Sequence, residues 1–141
     1  MRASLLTGAC LALGLLACGG GGASAGTAAP VGVLWHLERI QMMDDTELRP
    51  EDPSQYTLEL AADGSVAVRA DCNRGAGRYT IDGVELRIGP LGVTRALCPP
   101  GSLDTRYLQL LDIAASWMIR DGQLAIATAM DSAILFFAPA P

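Results

Sequence analysis

The stretch Gly77-Arg78-Tyr79-Thr80-Ile81-Asp82-Gly83-Val84-Glu85-Leu86-Arg87-Ile88-Gly89 reads as a β-hairpin. Apolar and polar residues alternate on either side of Asp82-Gly83, the pattern of half-buried strands. Asp-Gly supplies the positive φ that tight hairpin turns require. Two further Asp-Gly pairs repeat the arrangement. Asp63-Gly64 separates Tyr56-Thr57-Leu58-Glu59-Leu60 from Val66-Ala67-Val68-Arg69-Ala70, and Asp121-Gly122 separates Trp117-Met118-Ile119-Arg120 from Gln123-Leu124-Ala125-Ile126-Ala127. An early strand over Leu34–Ile40 and a last one over Ala133–Phe137 complete a chain of short strands joined by tight turns.

One segment departs from this period. Leu103, Tyr107, Leu110, Leu111 and Ala114 follow the i, i+4, i+7, i+8, i+11 spacing of one buried helical face, with Arg106, Gln109 and Asp112 on the wet side. Pro99-Pro100-Gly101 precedes it and Ser102 can cap it, so a helix is predicted over 102–115. Met43-Asp44-Asp45-Thr46-Glu47-Leu48-Arg49-Pro50-Glu51-Asp52-Pro53 reads as a loop from its charges and prolines.

At 141 residues, the chain has room for one domain. Half of it is hydrophobic and only 18% is charged, which excludes disorder over most of its length. The net charge of −5 argues against a nucleic-acid partner. There is no lysine and a single histidine, His36, which removes lysine nucleophiles, phosphate loops of the Gly-Lys type and multi-histidine metal sites.

The N-terminus carries an address. Arg2 precedes an apolar run, Leu5 to Ala17, too short to span a bilayer, which takes roughly 20 apolar residues. It ends in Leu15-Leu16-Ala17-Cys18, which resembles a bacterial lipobox; Cys10 competes but follows too short a run. Residues 1–17 are expected to be a lipoprotein signal peptide, with Cys18 lipidated; cleavage as an ordinary secreted protein is the alternative. Residues 18–32 are then the lipidated cysteine and a flexible Gly/Ala/Ser tether. Gly19, in place of Asp, leans the expected location to the outer membrane, facing the periplasm. The folded domain is expected over 33–141.

Cys72 and Cys98 remain as an even pair in an exported domain. An oxidising compartment favours a disulfide over two free buried thiols, and a metal would need more ligands than these cysteines and a distant histidine supply. A bridge would contribute at most ~3.5 kcal/mol by chain entropy.

The centre of the chain reads Asp71-Cys72-Asn73-Arg74-Gly75-Ala76-Gly77-Arg78-Tyr79, then Ile88-Gly89-Pro90-Leu91, then Thr94-Arg95-Ala96-Leu97-Cys98-Pro99. With Trp35 ahead of it, this order resembles the META domain, or HslJ-like, family over residues 33–138. The family commonly has Gly where this chain has Asp71, and Glu early in the helix where it has Asp104-Thr105. The resemblance implies an α+β domain: a strongly curved, mostly antiparallel β-sheet, like an incomplete barrel, with one packed helix. It also implies an exported or lipid-anchored protein linked to stress response, motility, drug tolerance or virulence.

Asn73, Thr94 and Arg95 are the most distinctive polar residues of the pattern. They are read as a structural network rather than a binding site, so Arg95→Ala is expected to cost stability first. His36 lacks a recognisable nucleophile and orienting partner, so it is read as a strand residue rather than a base. Asp44-Asp45 and Glu51-Asp52 are read as solvated turns, not calcium ligands or paired acids. Gly75-Ala76-Gly77 has Thr80 where a third glycine would stand and precedes a strand, so it is no nucleotide loop. No catalytic set, metal site or cofactor is expected. The function expected is that of a non-catalytic, lipid-anchored envelope protein acting through contacts with another envelope protein in envelope maintenance or stress tolerance. The alternative is a binder or carrier of a small apolar ligand between curved sheet and helix. An enzyme using His36 with a loop carboxylate is the third reading.

Overall fold

The computed structural model describes residues 29–141. The segments expected to be a signal peptide, the lipidated Cys18 and most of the tether, residues 1–28, lie outside the described residues. Within them, ten strands and one α-helix follow in the order β1 (Leu34–Met42), β2 (Glu47–Leu48), β3 (Tyr56–Leu60), β4 (Ser65–Ala70), β5 (Asn73–Asp82), β6 (Glu85–Ile88), β7 (Gly92–Val93), α1 (Asp104–Asp112), β8 (Ala114–Arg120), β9 (Gln123–Thr128) and β10 (Ala133–Pro139). The pairings between these strands are antiparallel.

The three Asp-Gly turns all join neighbouring strands, in different ways. Asp121 and Gly122 both have positive φ, 52° and 77°, as a type I′ turn between Arg120 and Gln123 requires. In the second hairpin Asp82 pairs with Glu85, so the two-residue loop is Gly83-Val84, one residue later than the sequence pattern places it. Gly83 alone carries the positive φ there, at 58°, the type II′ signature. Asp63 sits in a longer turn closed by Gly64 N–H donating to Ala61 O.

The sheet curls into a closed barrel of eight strands, not the incomplete one expected from the family resemblance. Closure comes from β1 running antiparallel to β10, from Trp35 opposite Pro139 to Met42 opposite Ala133. These strands are nearly a chain length apart, so no turn signal could reveal their pairing, and zipping them removes two sheet edges. The ring is completed by β6 and β8, which meet at Glu85 and Ser116.

Alternation fills the interior. Trp35 and Leu37 of β1, Leu58 and Leu60 of β3, Val66 and Val68 of β4, Leu86 of β6, Leu124 and Ile126 of β9, and Leu135 and Phe137 of β10 are buried. A bulge at Glu38 shifts the β1 register, which lets Ile40 face inward after Leu37. The helix is shorter than 102–115. Ala114 is buried, as the spacing required, but it opens β8 one residue, Ile113, after the helix rather than ending the helix. Leu103 occupies the N-cap position, while Ser102 Oγ accepts from Asp104 N–H at 3.2 Å. Tyr107, Leu110 and Leu111 point the helix into the barrel. The Tyr107 ring lies 5.9 Å from that of Tyr56 and 6.3 Å from that of Phe137, and its hydroxyl donates to Thr57 O at 3.1 Å. Burial pushes the Tyr107 phenol far above its ordinary range, so it stays a neutral donor.

Candidate functional site

Asn73 opens β5 and is 3% exposed. Its side chain uses every hydrogen-bonding position it has. Nδ2 donates to Ala96 O at 3.0 Å and to Asp104 Oδ2 at 3.2 Å, with Cys98 Sγ 3.4 Å away. Oδ1 accepts from Ala96 N–H at 2.8 Å and Thr94 Oγ1 at 3.0 Å. Thr94 Oγ1 in turn accepts from Arg74 N–H at 2.9 Å. A primary amide offers two donors and two acceptor positions, and here all four are satisfied. The cluster fastens the segment 94–98 and the start of α1 to the beginning of β5.

The disulfide lies beside it. Cys72 and Cys98 are bridged, with Cα atoms 5.5 Å apart. The turn before it, Asp71-Cys72, joins Ala70 to Asn73, and Asp71 has φ 56°. That left-handed backbone explains why glycine suits the position and why Asp, which tolerates such angles, can replace it.

Arg95 stands apart from this network. Its side chain is exposed and makes no hydrogen bond or ion pair among the described residues. The alternation that turns Thr94 and Ala96 toward Asn73 turns Arg95 elsewhere. It lines a groove of about 520 Å³ with Leu91, Val93 and Leu97 on one wall and Asp104, Leu108 and Asp112 of α1 on the other. Leu97 is fully exposed at its rim. Thr94 and Ala96 complete the first wall, and Thr105 and Gln109 flank the i, i+4, i+8 stripe Asp104, Leu108 and Asp112 on the second.

Gly75 and Gly77 shape this wall. A Cβ on Gly77 would come within 2.7 Å of Pro90 O, and one on Gly75 within 3.2 Å of Val93 Cγ2. Bare backbone lets the segment 90–93 lie close against β5. Sequence reading set these glycines aside as non-nucleotide and missed the wall they admit. The available signal was the period-two placement of Leu91, Val93, Arg95 and Leu97.

The remaining candidates are dispersed. His36 is half-buried on β1, opposite Thr57 and Ala138, with no hydrogen bond to its ring among the described residues. Asp44 accepts from Thr46 N–H at 3.0 Å and Asp52 from Ser54 N–H at 2.9 Å, so both close local turns. The hydroxyls of Thr46 and Ser54 first, and then these backbone N–H groups, hold both carboxyls below their ordinary range. The loop they belong to contains strand β2 and a short 3₁₀ turn at Pro53–Gln55. Among the described residues no three His, Cys, Asp or Glu side chains converge as metal ligands. On the outer sheet face, Met118, Ile134 and Phe136 form an apolar strip, with the Arg39 guanidinium 3.6 Å over the Phe136 ring.

The sequence profile of the META domain family matches residues 30–141. No curated protein matches the chain. The fold is similar to that of a protein from Burkholderia xenovorans solved by NMR, with a TM-score of 0.67 and 24% identity over 79% of this chain and 83% of that one. It is also similar to a crystal structure of a DUF4847 family protein from Bacteroides vulgatus, with a TM-score of 0.54 and 14% identity over 77% of this chain and 93% of that one.

Proposed function

The chain belongs to the META domain family, and from that premise we propose that it is a non-catalytic, lipid-anchored envelope protein working through contacts with another envelope protein, in envelope maintenance or stress tolerance. The observation that carries this reading is the employment of Asn73. The most distinctive buried polar side chain of the family pattern spends its full hydrogen-bonding capacity on the fold. The interior is occupied by packed side chains, which leaves the outer surface to act. The lipobox-like Leu15-Leu16-Ala17-Cys18 supports the anchor.

A second reading, a binder of a small apolar ligand, draws on the groove between sheet and helix, whose volume of about 520 Å³ suits a ligand site. Its lining of Arg95, Asp104 and Asp112 fits hydrocarbon poorly.

The test is crosslinking in intact cells with the full chain, compared with Cys18→Ser. Lipid labelling and membrane fractionation that depend on Cys18, with one protein crosslinked reproducibly, are the expected results. An unlabelled Cys18 in the soluble fraction overturns the anchor. A co-purifying lipid at near-equal stoichiometry, with no crosslinked protein, overturns the protein-contact reading in favour of the second.

A further inference from the structure

Strands β6 and β7 are two parts of one bulged ribbon lying antiparallel to β5. Glu85–Ile88 pair with Asp82–Tyr79, and after the bulge at Gly89–Leu91, Gly92 and Val93 pair with Ala76 and Gly75. The ladder continues where Thr94 N–H donates to Arg74 O at 2.9 Å. On its other side, this ribbon meets β8 only near its beginning, at Glu85 opposite Ser116 and where Trp117 N–H donates to Val84 O. Further on, β7 pairs with β5 alone, and the 520 Å³ groove lies between the segment 91–97 and α1.

The backbone direction along this edge follows from its bonds. Thr94 N–H faces β5, and both main-chain groups of Ala96 face Asn73. In an extended chain successive residues turn their N–H and C=O groups to opposite sides. Those of Val93 and Arg95 therefore face away from β5, along the open edge. A barrel removes sheet edges, and this one leaves a short edge bare beside a groove.

We infer that this edge, Val93–Leu97, receives an extended peptide segment of a partner protein as an added strand. The inference rests on the protein-contact reading above and deepens it; it does not depend on the anchor. Main-chain bonds to Val93 and Arg95 supply the pairing, as in strand-addition complexes. The side chains define the segment. Arg95 has no carboxylate partner among the described residues, so it selects an acidic residue on its own side of the groove, opposite the wall that carries Asp104 and Asp112. Leu97 and Leu108 offer apolar surface to a residue two positions away, on the same face of the added strand. The chain's own tether does not meet this description, since residues 19–29 hold no acidic and no large apolar side chain.

The test immobilises the full chain and selects binders from a phage-displayed library of linear peptides. Enriched peptides are expected to alternate apolar residues and carry an acidic one. On binding, they should slow amide hydrogen exchange at Val93 and Arg95. Arg95→Glu should weaken them roughly tenfold, the worth of one charge-assisted contact. Arg95 is exposed and unpaired, so this variant should fold normally, and its unchanged circular dichroism spectrum and melting temperature would show that. Peptides that protect amides on β8 to β10 instead would overturn the edge assignment while leaving protein contact standing. Failure to enrich any peptide, or protection of the same amides by a second copy of the chain, would overturn the partner-peptide assignment. Absence of any protein crosslinked to the full chain in intact cells would remove the underlying reading itself.

Discussion

Asn73 donates through Nδ2 to Asp104 Oδ2 at 3.2 Å and so ties the first residue of β5 to the first residue of α1. The same side chain holds both main-chain groups of Ala96. Replacing it with Ala takes the acceptor from the part-buried Ala96 N–H bond and leaves the Thr94 hydroxyl only the longer bond to Arg74 O at 3.5 Å, and each group left without a partner costs on the order of 1–3 kcal/mol. Asn73→Ala is expected to destabilise by about 3 kcal/mol in urea unfolding. Thr94→Val should cost about 1 kcal/mol, and the double variant should cost less than the sum, because the two share a bond.

Arg95→Ala should fall within about 0.5 kcal/mol of the parent, as a surface substitution without partners does. This reverses the expectation drawn from the sequence. A loss above about 1.5 kcal/mol would mean that the guanidinium is engaged after all.

The Cys72–Cys98 bridge closes a sequence separation of 26 residues. Chain entropy puts its contribution at about 3.5 kcal/mol as an upper value. The variant Cys72→Ser/Cys98→Ser should lose about 2–3.5 kcal/mol in urea unfolding and keep the near-ultraviolet spectrum of the packed Trp117 and Tyr107. The barrel and helix contacts of those rings do not pass through the bridge.

Local pattern and long-range pairing were legible to different degrees. Tyr56–Leu60 and the Asp121-Gly122 turn could be read from sequence because alternation and turn chemistry act over a few residues. The pairing of Trp35 with Pro139 has no such local signal, so closure of the barrel was missed. Ala114 was placed on the right face but in the wrong element, because a buried position continues across a junction without a loop. At the site, Asn73 and Thr94 stand out by residue type, and they meet. Arg95 stands out equally and does not join them. Residue type records a capacity for hydrogen bonding, while the alternation of the backbone decides where that capacity points.

Three carboxylates make the fold acid-sensitive in a definite direction. Asp44, Asp52 and Asp63 each accept from a hydroxyl residue two positions on, and those bonds hold all three below the ordinary carboxylate value. A carboxyl whose folded pKa is lowered contributes stability that is full above the unfolded value and lost as pH falls through the folded one. The melting temperature should therefore fall as pH drops through the ordinary carboxylate range and below it. The triple variant Asp44→Asn/Asp52→Asn/Asp63→Asn keeps an acceptor in each turn but cannot titrate, so its melting temperature should change less over that interval. Equal slopes for the two proteins would show that other groups govern the acid response.

Gly77 and Gly122 separate two reasons for a glycine. Gly122 has φ 77° with open space around it, so Ala there suffers only backbone strain, roughly 1 kcal/mol. Gly77 needs no unusual φ, but a Cβ would stand 2.7 Å from Pro90 O and 3.1 Å from Leu91 Cδ2. The nearer of these is main chain, which cannot swing aside as a flexible side chain does. Relief requires the segment 90–93 to move off β5, weakening the ladder at Ala76–Gly92 and Gly75–Val93. Gly77→Ala should then cost about 2–3 kcal/mol, as overpacking does. It should also shift the amide resonances of Val93 and Arg95, which Gly122→Ala should leave in place. If Gly77→Ala were as stable as the parent with those resonances unmoved, the close seating of this ribbon on β5, and with it the position of the open edge, would be wrong.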